Sequence, residues 1–372
     1  MSADMPTKPA TMRPPLVRAL WNAGLIVAST LLTLFAVEGG ASSIVFIRDA
    51  WTKRTRSSLP PYATLDTLLG WTSRAGFADP DAFGKGVGLA INAQGLRGAR
   101  ALTDRAPAGV VRLACSGDSF TMGVGVDDAH TWCAQLETDM PGVQTINLGQ
   151  AKYGLDQVRS RFERDGVKFA PAVHVVALTQ AELERALTDD VDGVPKGLLA
   201  LENGHVALRG VPVVAPSGPT LLAASLARAF DDLRMVRLVR RARRPTANAD
   251  VQANWSLFDG AIAAMQARER QRGTTLAMAY LPGLADLGAG SSELVRKKLA
   301  ESARAHGVML VDLTLPMRKL RADSQDLAFI ATAPAGTTSA LVGQYSNIGH
   351  RWVARELAVL LRPLLQNAPT QR

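Results

Sequence analysis

Among the residues of this 372-residue chain whose types could do chemistry, Ser119 has the most suggestive surroundings. It lies in Ser116-Gly117-Asp118-Ser119-Phe120-Thr121, directly after the apolar run Val110–Cys115. A serine on the tight turn that ends a buried strand presents its hydroxyl and its own N–H to a crevice, as nucleophilic catalysis requires. Gly-Asp-Ser-Phe alone is a weak signal, because Ser and Asp also favour turns for structural reasons. A serine also needs a base, and the five histidines are His130, His174, His205, His306 and His350. His174 opens an apolar run and His306 precedes one, so both read as structural. His130 opens a helical stretch, His205 falls in an inserted region, and His350 belongs to the last helical stretch.

The elements that must position Ser119 follow from periodicity. Val110–Cys115, Val143–Leu148, Val173–Thr179, Thr275–Leu281 and Val308–Leu313 are short, largely β-branched or apolar runs, as expected of strands buried on both faces. Helical patterns lie between them near 129–139, 155–166, 253–271 and 291–305, with a last one over 347–364. Strands alternating with helices predict an α/β fold, a doubly wound, flavodoxin-like parallel sheet of about five strands. Chemistry in such a sheet gathers beyond the carboxyl ends of the strands. Residues 48–108, rich in Arg, Ser, Pro and Gly, read as a stalk and lead-in packing on a main domain of residues 109–365, with a short tail over 366–372. An inserted amphipathic helix near 219–244 carries Leu222, Leu226, Phe230 and Leu233, then Arg234, Arg237, Arg240, Arg241, Arg243 and Arg244. Such a cluster is either a solvated face or a basic surface for anionic lipid or glycan.

From about residue 65 to 364 the chain resembles the SGNH (GDSL) hydrolases, and within them a membrane-anchored bacterial envelope subgroup. The resemblance rests on an ordered set of motifs. Leu69-Gly70-Trp71 and Asn92-Ala93-Gln94-Gly95-Leu96-Arg97-Gly98 form the lead-in. GDSFT stands at 117–121, and Asn147-Leu148-Gly149 is followed by Tyr153-Gly154-Leu155-Asp156-Gln157. Tyr345-Ser346-Asn347-Ile348-Gly349-His350-Arg351-Trp352 opens the last helix. The resemblance implies Ser119 as nucleophile beside a His-Asp pair, with the oxyanion held by the serine N–H, a glycine N–H and an asparagine side chain. No metal or other cofactor is implied.

The pocket residues implied by the resemblance are Asp118, Lys152, Gly154, Gln180, Ala181 and Tyr345, and several depart from the family pattern. Lys152 takes the glycine position; its N–H remains available, while its side chain would project into or beside the crevice. Ala181 takes the asparagine position, with Gln180 as a substitute donor. Gln344 takes the position of the catalytic histidine, and Leu341 or Val342 that of the aspartate. Glutamine cannot accept a proton near neutral pH, and an aliphatic residue cannot orient an imidazole. Substitute bases would be a relocated histidine, or Lys152 in a Ser–Lys pair if desolvated. Asp323 or Asp326 could fold back toward the site.

Composition narrows the setting. Apolar residues at 47% and charged residues at 20% suit a globular core, and 5% aromatics leave little for stacking nucleic acid. The net charge of +9 predicts an anionic neighbour, such as lipid headgroups or an acidic or acylated polysaccharide. Nucleic acid is not expected, for want of a reading motif. Ala19 to Val37 runs 19 residues without a charge, which predicts a transmembrane anchor within 19–47 after a tail at 1–18. Lys8, Arg13 and Arg18 precede the span and Arg48, Lys53, Arg54 and Arg56 follow it, so the balance of positive charge does not fix its orientation. The position of the segment places the large domain outside the bacterial inner membrane, in the periplasm. Cys115 and Cys133 read as buried thiols rather than a disulfide. Three functions are consistent with these residues: a degenerate hydrolase-like domain that binds glycan or acyl-glycan, an active esterase or acyltransferase on O-acylated polysaccharide, and an assembly component of a polysaccharide export system.

Overall fold

A computed structural model of the chain describes residues 19, 21–30, 32–33, 59–202, 205–214, 247–288, 292–334, 337 and 341–366. The chain divides into two units, one of residues 57–216 with 245–372, the other of residues 1–56 with 217–244. In the second unit, residues 19, 21–30 and 32–33 are helical, and Trp21, Leu25, Ile26, Val27 and Leu32 are exposed. Among the described residues no helix is long and apolar enough to cross a membrane. Residues 34–47 of the expected anchor and the whole basic stretch 219–244 lie outside the described residues.

The larger unit opens with two short hairpins, β1 (Ala63–Asp66) with β2 (Gly70–Ser73) and β3 (Ala78–Asp79) with β4 (Leu89–Ala90). The central sheet consists of β5 (Val111–Ser116), β6 (Val143–Asn147), β7 (Val173–Leu178), β12 (Thr275–Tyr280) and β13 (Met309–Asp312). Two further hairpins leave it after β7, pairing β8 (Asp190–Val191) with β9 (Val194–Pro195) and β10 (Leu198–Glu202) with β11 (His205–Arg209). Every strand pair in the five-stranded sheet is parallel, in the order β13-β12-β7-β5-β6. The chain leaves β5 toward one edge and returns on the other side as β7. The order therefore reverses between those two strands, where a doubly wound sheet opens its crevice.

Burial on both faces explains why these runs are strands. All six residues of β7 are buried, with Val176 and Leu178 in one core layer and Val175 and Ala177 in the other. The first layer packs under the helix Trp255–Arg272 through Phe258 and Ile262. The second packs under Trp132–Asp139 and Asn347–Gln366 through Leu136, Val353 and Leu357. The predicted helix over 155–166 is α-helical only to Arg161 and widens to a π turn over Phe162–Gly166.

Cys115 and Cys133 are joined in a disulfide, with a Cα–Cα distance of 6.3 Å, which corrects the expectation of two free thiols. The carboxyl end of β5 and the first turn of Trp132–Asp139 share one core layer, so packing brings the two sulfurs together. Residue types alone do not display that proximity.

Candidate active site

Ser119 begins the short helix Ser119–Met122, three residues beyond β5 and at the switch point of the sheet. It is half-buried, and its Oγ has no hydrogen-bond partner among the described residues. The turn requires its glycine: a Cβ on Gly117 would stand 2.7 Å from the Ala177 carbonyl oxygen and collide with Thr121. Asp118 is buried and caps the helix, its Oδ1 accepting the Phe120 N–H at 3.0 Å. Its Oδ2 accepts from Arg185 Nη2 at 2.5 Å, and the same guanidinium donates through Nε to the Tyr153 carbonyl at 2.9 Å. Arg185 thus clamps the serine turn to the loop before the helix Leu155–Arg161.

The quoted motifs converge on this turn. Asn147 donates to the Thr121 carbonyl at 2.9 Å and accepts the Gly149 N–H at 2.9 Å, so the end of β6 holds the turn after Ser119. A Cβ on Gly149 would strike the Thr121–Met122 backbone, which explains glycine there. Gln157 donates to the Leu69 carbonyl at 2.6 Å and Tyr153 Oη to the Trp71 carbonyl at 2.7 Å, joining the second motif to Leu69-Gly70-Trp71. Arg97 of the lead-in pairs with Asp128 at 2.6 Å and donates to the Val126 carbonyl at 2.7 Å.

Lys152 adopts φ +67°, the left-handed conformation that glycine takes without strain. Its side chain points to solvent and pairs with Asp192, both about half exposed. That is not the desolvated amine a Ser–Lys pair needs. The N–H groups of Ser119 and Lys152 have no acceptor among the described residues, so two backbone donors remain at the positions where the resemblance implies an oxyanion site. The Gly154 N–H is taken by Gln157 Oε1 at 3.1 Å.

Gln180 opens the helix Gln180–Arg185 and donates along it to Glu184 at 2.7 Å, while Ala181 contributes no polar side-chain atom. The next residue, Glu182, is fully buried and accepts the Thr179 N–H at 2.6 Å through Oε2. Its other oxygen has no partner. Burial first, and the nearby Asp118 carboxylate second, push the Glu182 carboxyl well above its usual range. Thr179 and Glu182 are legible as a capping box, but their place beside Asp118 is tertiary.

The closing segment reaches the serine turn through aromatic contact. Tyr345 is buried with its ring 4.6 Å from Phe120, edge to face, and its Oη donates to the Pro282 carbonyl at 2.7 Å. Gln344, which the resemblance sets at the histidine position, is half-buried, and its Oε1 has no partner among the described residues. Leu341 packs with Met122 and Val124, and Val342 is exposed. Asp323 and Asp326 are exposed on the helix Ala322–Leu327 and do not fold back.

Each histidine is engaged elsewhere or lies in solvent. His130 ends a 3-10 turn rather than opening the helix, and its Nδ1 contacts Asp127 at 2.7 Å. His306 contacts Asp259 at 3.0 Å, and His205 is exposed on β11. His350 is buried and accepts the Trp132 N–H at 3.2 Å. Burial, with the Arg97 charge second, pushes it down to about 3. His174 lies 2.8 Å from Ser116 Oγ through Nε2 and 3.3 Å from Glu269 through Nδ1, stacked 3.5 Å from the Phe162 ring. Burial depresses its affinity for a proton against the opposing pull of Glu269. This Ser–His–Glu chain is sealed in the core. The cleft along Arg97, Arg100, Glu137 and Thr138, about 300 Å³, does not include Ser119. Among the described residues no group of three metal-binding side chains occurs.

A five-stranded doubly wound α/β domain with a serine turn at the switch point is the class defined by this fold and site, as the resemblance to SGNH hydrolases implies. No family model matches the chain, and no curated protein matches it. Among solved structures it is similar to a lipolytic protein of the G-D-S-L family from Desulfitobacterium hafniense DCB-2, with 14% identity and TM-score 0.37 over 68% of this chain and 99% of that one. It is also similar to an acetyl xylan esterase, with 12% identity and TM-score 0.40 over 68% of this chain and 100% of that one. A lipase/acylhydrolase from Enterococcus faecalis gives 10% identity and TM-score 0.40 over 71% of this chain and 100% of that one.

Proposed function

We propose that this chain is a hydrolase-like protein of the bacterial cell envelope, anchored in the inner membrane, whose crevice binds glycan or acyl-glycan without cleaving it by ordinary serine hydrolysis. The observation that carries the reading is the state of Ser119. Among the described residues its hydroxyl has no partner and no histidine contacts it, and glutamine stands where the resemblance implies a histidine. A serine hydroxyl without a base is a poor nucleophile. The exposed apolar side chains of Trp21, Leu25, Ile26, Val27 and Leu32 support the anchor, and the Cys115–Cys133 disulfide supports an oxidising compartment.

A second reading, an esterase or acyltransferase on O-acylated polysaccharide, is favoured by the Ser119 and Lys152 N–H groups, which have no acceptor among the described residues and can hold an oxyanion. Intact mass after exposure to a fluorophosphonate probe separates the two, beside Ser119→Ala and Lys152→Gly. The binding reading expects no adduct on the native chain or on Lys152→Gly. One adduct on the native chain that Ser119→Ala abolishes would replace it with the second.

A further inference from the structure

The last helix, Asn347–Gln366, buries Val353, Ala354, Leu357, Leu361 and Leu365. Its outer side presents Arg351, Arg355, Val359 and Arg362, at the i, i+4, i+8, i+11 spacing of one helix face. With Asp139 and Ala358 these side chains line a shallow cleft of about 340 Å³. The charge there is unbalanced. Arg351 pairs with Asp139 at 2.9 Å, and among the described residues Arg362 reaches only the Asp139 carbonyl at 3.4 Å. Arg355 is exposed and has no acidic partner among the described residues, although Glu356 sits one residue round the helix, half-buried. Within the same stripe Val359 is 73% exposed.

A solvated helix face usually mixes both signs and keeps its aliphatic residues inward. A soluble polyanion would be met by the guanidinium groups, but gives no reason for a bare Val359 between Arg355 and Arg362. An anionic bilayer surface takes both, phosphates against arginine and the edge of the acyl layer against the valine. We propose that this stripe docks on an anionic phospholipid surface, with Arg355 and Arg362 on headgroup phosphates and Val359, between them, entering the headgroup layer. The docking does not depend on whether Ser119 reacts.

The chain has no cysteine besides the bonded pair, so Val359→Cys can carry an environment-sensitive fluorophore in the full chain. The labelled chain is reconstituted into vesicles of phosphatidylcholine, with and without phosphatidylglycerol. The emission should move to the blue only where phosphatidylglycerol is present, and added salt should reverse the move. Near an anionic surface each cationic side chain contributes about five-fold in binding. The four-charge change of Arg355→Glu with Arg362→Glu should therefore lower the docked population by about several hundred-fold and abolish the shift. Arg355→Gln with Arg362→Gln, which keeps the side chains neutral and of similar length, should leave a partial shift, and this guards against a charge-reversed chain that has merely unfolded. Equal emission in both vesicle types, or a shift that survives charge reversal, overturns the proposal. So does an equal shift from a soluble acidic polysaccharide without phosphatidylglycerol, which would make the cleft a glycan site.

Discussion

Ser116 and Ser119 stand three residues apart at the end of β5, and they divide between them what a serine hydrolase needs in one place. Ser116 belongs to a complete hydrogen-bonded chain, serine to imidazole to carboxylate, at 2.8 Å and 3.3 Å. No substrate can reach it, because Ser116, His174 and Glu269 are all buried. Ser119 has the opposite endowment, access without a base. The difference lies in strand geometry. Ser116 is still in the sheet and turns its side chain into a core layer, whereas Ser119 has passed Gly117 and the turn and stands beyond the carboxyl ends of the strands. A constellation of residue types is therefore not a site until exposure is known.

The contrast can be broken from the buried side first. His174→Ala removes a ring stacked on Phe162 and leaves Ser116 and Glu269 unpaired in the core. It should destabilise the domain by about 3–5 kcal/mol in denaturant unfolding, with no change in the reactivity of Ser119. A loss below about 1 kcal/mol would show that the chain is not an integral part of the core.

Giving Ser119 what Ser116 has should produce the next largest change. Gln344→His combined with Val342→Asp supplies a base and an orienting carboxylate at the positions the resemblance implies, and Val342 is exposed enough to accept a charge. Fluorophosphonate labelling of Ser119 should rise about 100-fold, the lower end of what a general base contributes. An unchanged rate would place the closing segment too far from the serine.

Acid sharpens the comparison further. The folded-state pKa of His350 is pushed down to about 3, below the ordinary value near 6.5. Below 6.5 the unfolded chain then binds the proton that the folded chain refuses. Stability is therefore fully present above 6.5 and is lost as pH falls through 6.5 toward 3, by about 1.4 kcal/mol per pH unit. His174, depressed in the same direction, adds to the slope. His350→Asn, which can still accept the Trp132 N–H, should flatten the profile measured between about pH 7.5 and 5. An equal slope in the variant would assign the titration to other groups.

The smallest expected effect concerns Lys152. Lys152→Gly removes the cost of a left-handed lysine, about 1–2 kcal/mol, and forfeits an exposed ion pair worth about 0–1 kcal/mol. Greater freedom of the unfolded glycine offsets part of the gain. A net stabilisation of about 0.5 kcal/mol is expected in the same unfolding assay. Destabilisation would mean that the Asp192 contact matters more than the strain.

Much of the fold could be read directly. The five runs buried on both faces coincide with the five strands to within a residue or two, because a parallel sheet sandwiched between helices leaves its strands few polar positions. Leu69-Gly70-Trp71, Asn92–Gly98 and Tyr153–Gln157 are recognisable as motifs, although what they do is structural: Gln157 and Tyr153 hold the first to the third, and Arg97 holds the segment after the serine turn. The lead-in hairpins are not legible, because strands of two to four residues carry no readable period. The Arg185 clamp and the carboxyl of Glu182 beside Asp118 are hidden for another reason: they depend on which helix follows β7 across the crevice.

What the amino-acid sequence determined alone is local and periodic: the strands, the helices, the Gly117–Ser119 turn and the residue types at each motif position. Tertiary structure decided which of those residues meet, since contact across the sheet depends on packing rather than on distance along the chain. It paired Cys115 with Cys133, engaged His350 with the Trp132 N–H and turned Lys152 outward to Asp192. It also closed Ser116 into the core while leaving Ser119 at the open switch point, because one more turn of backbone carries a side chain from between two layers to the edge of the sheet.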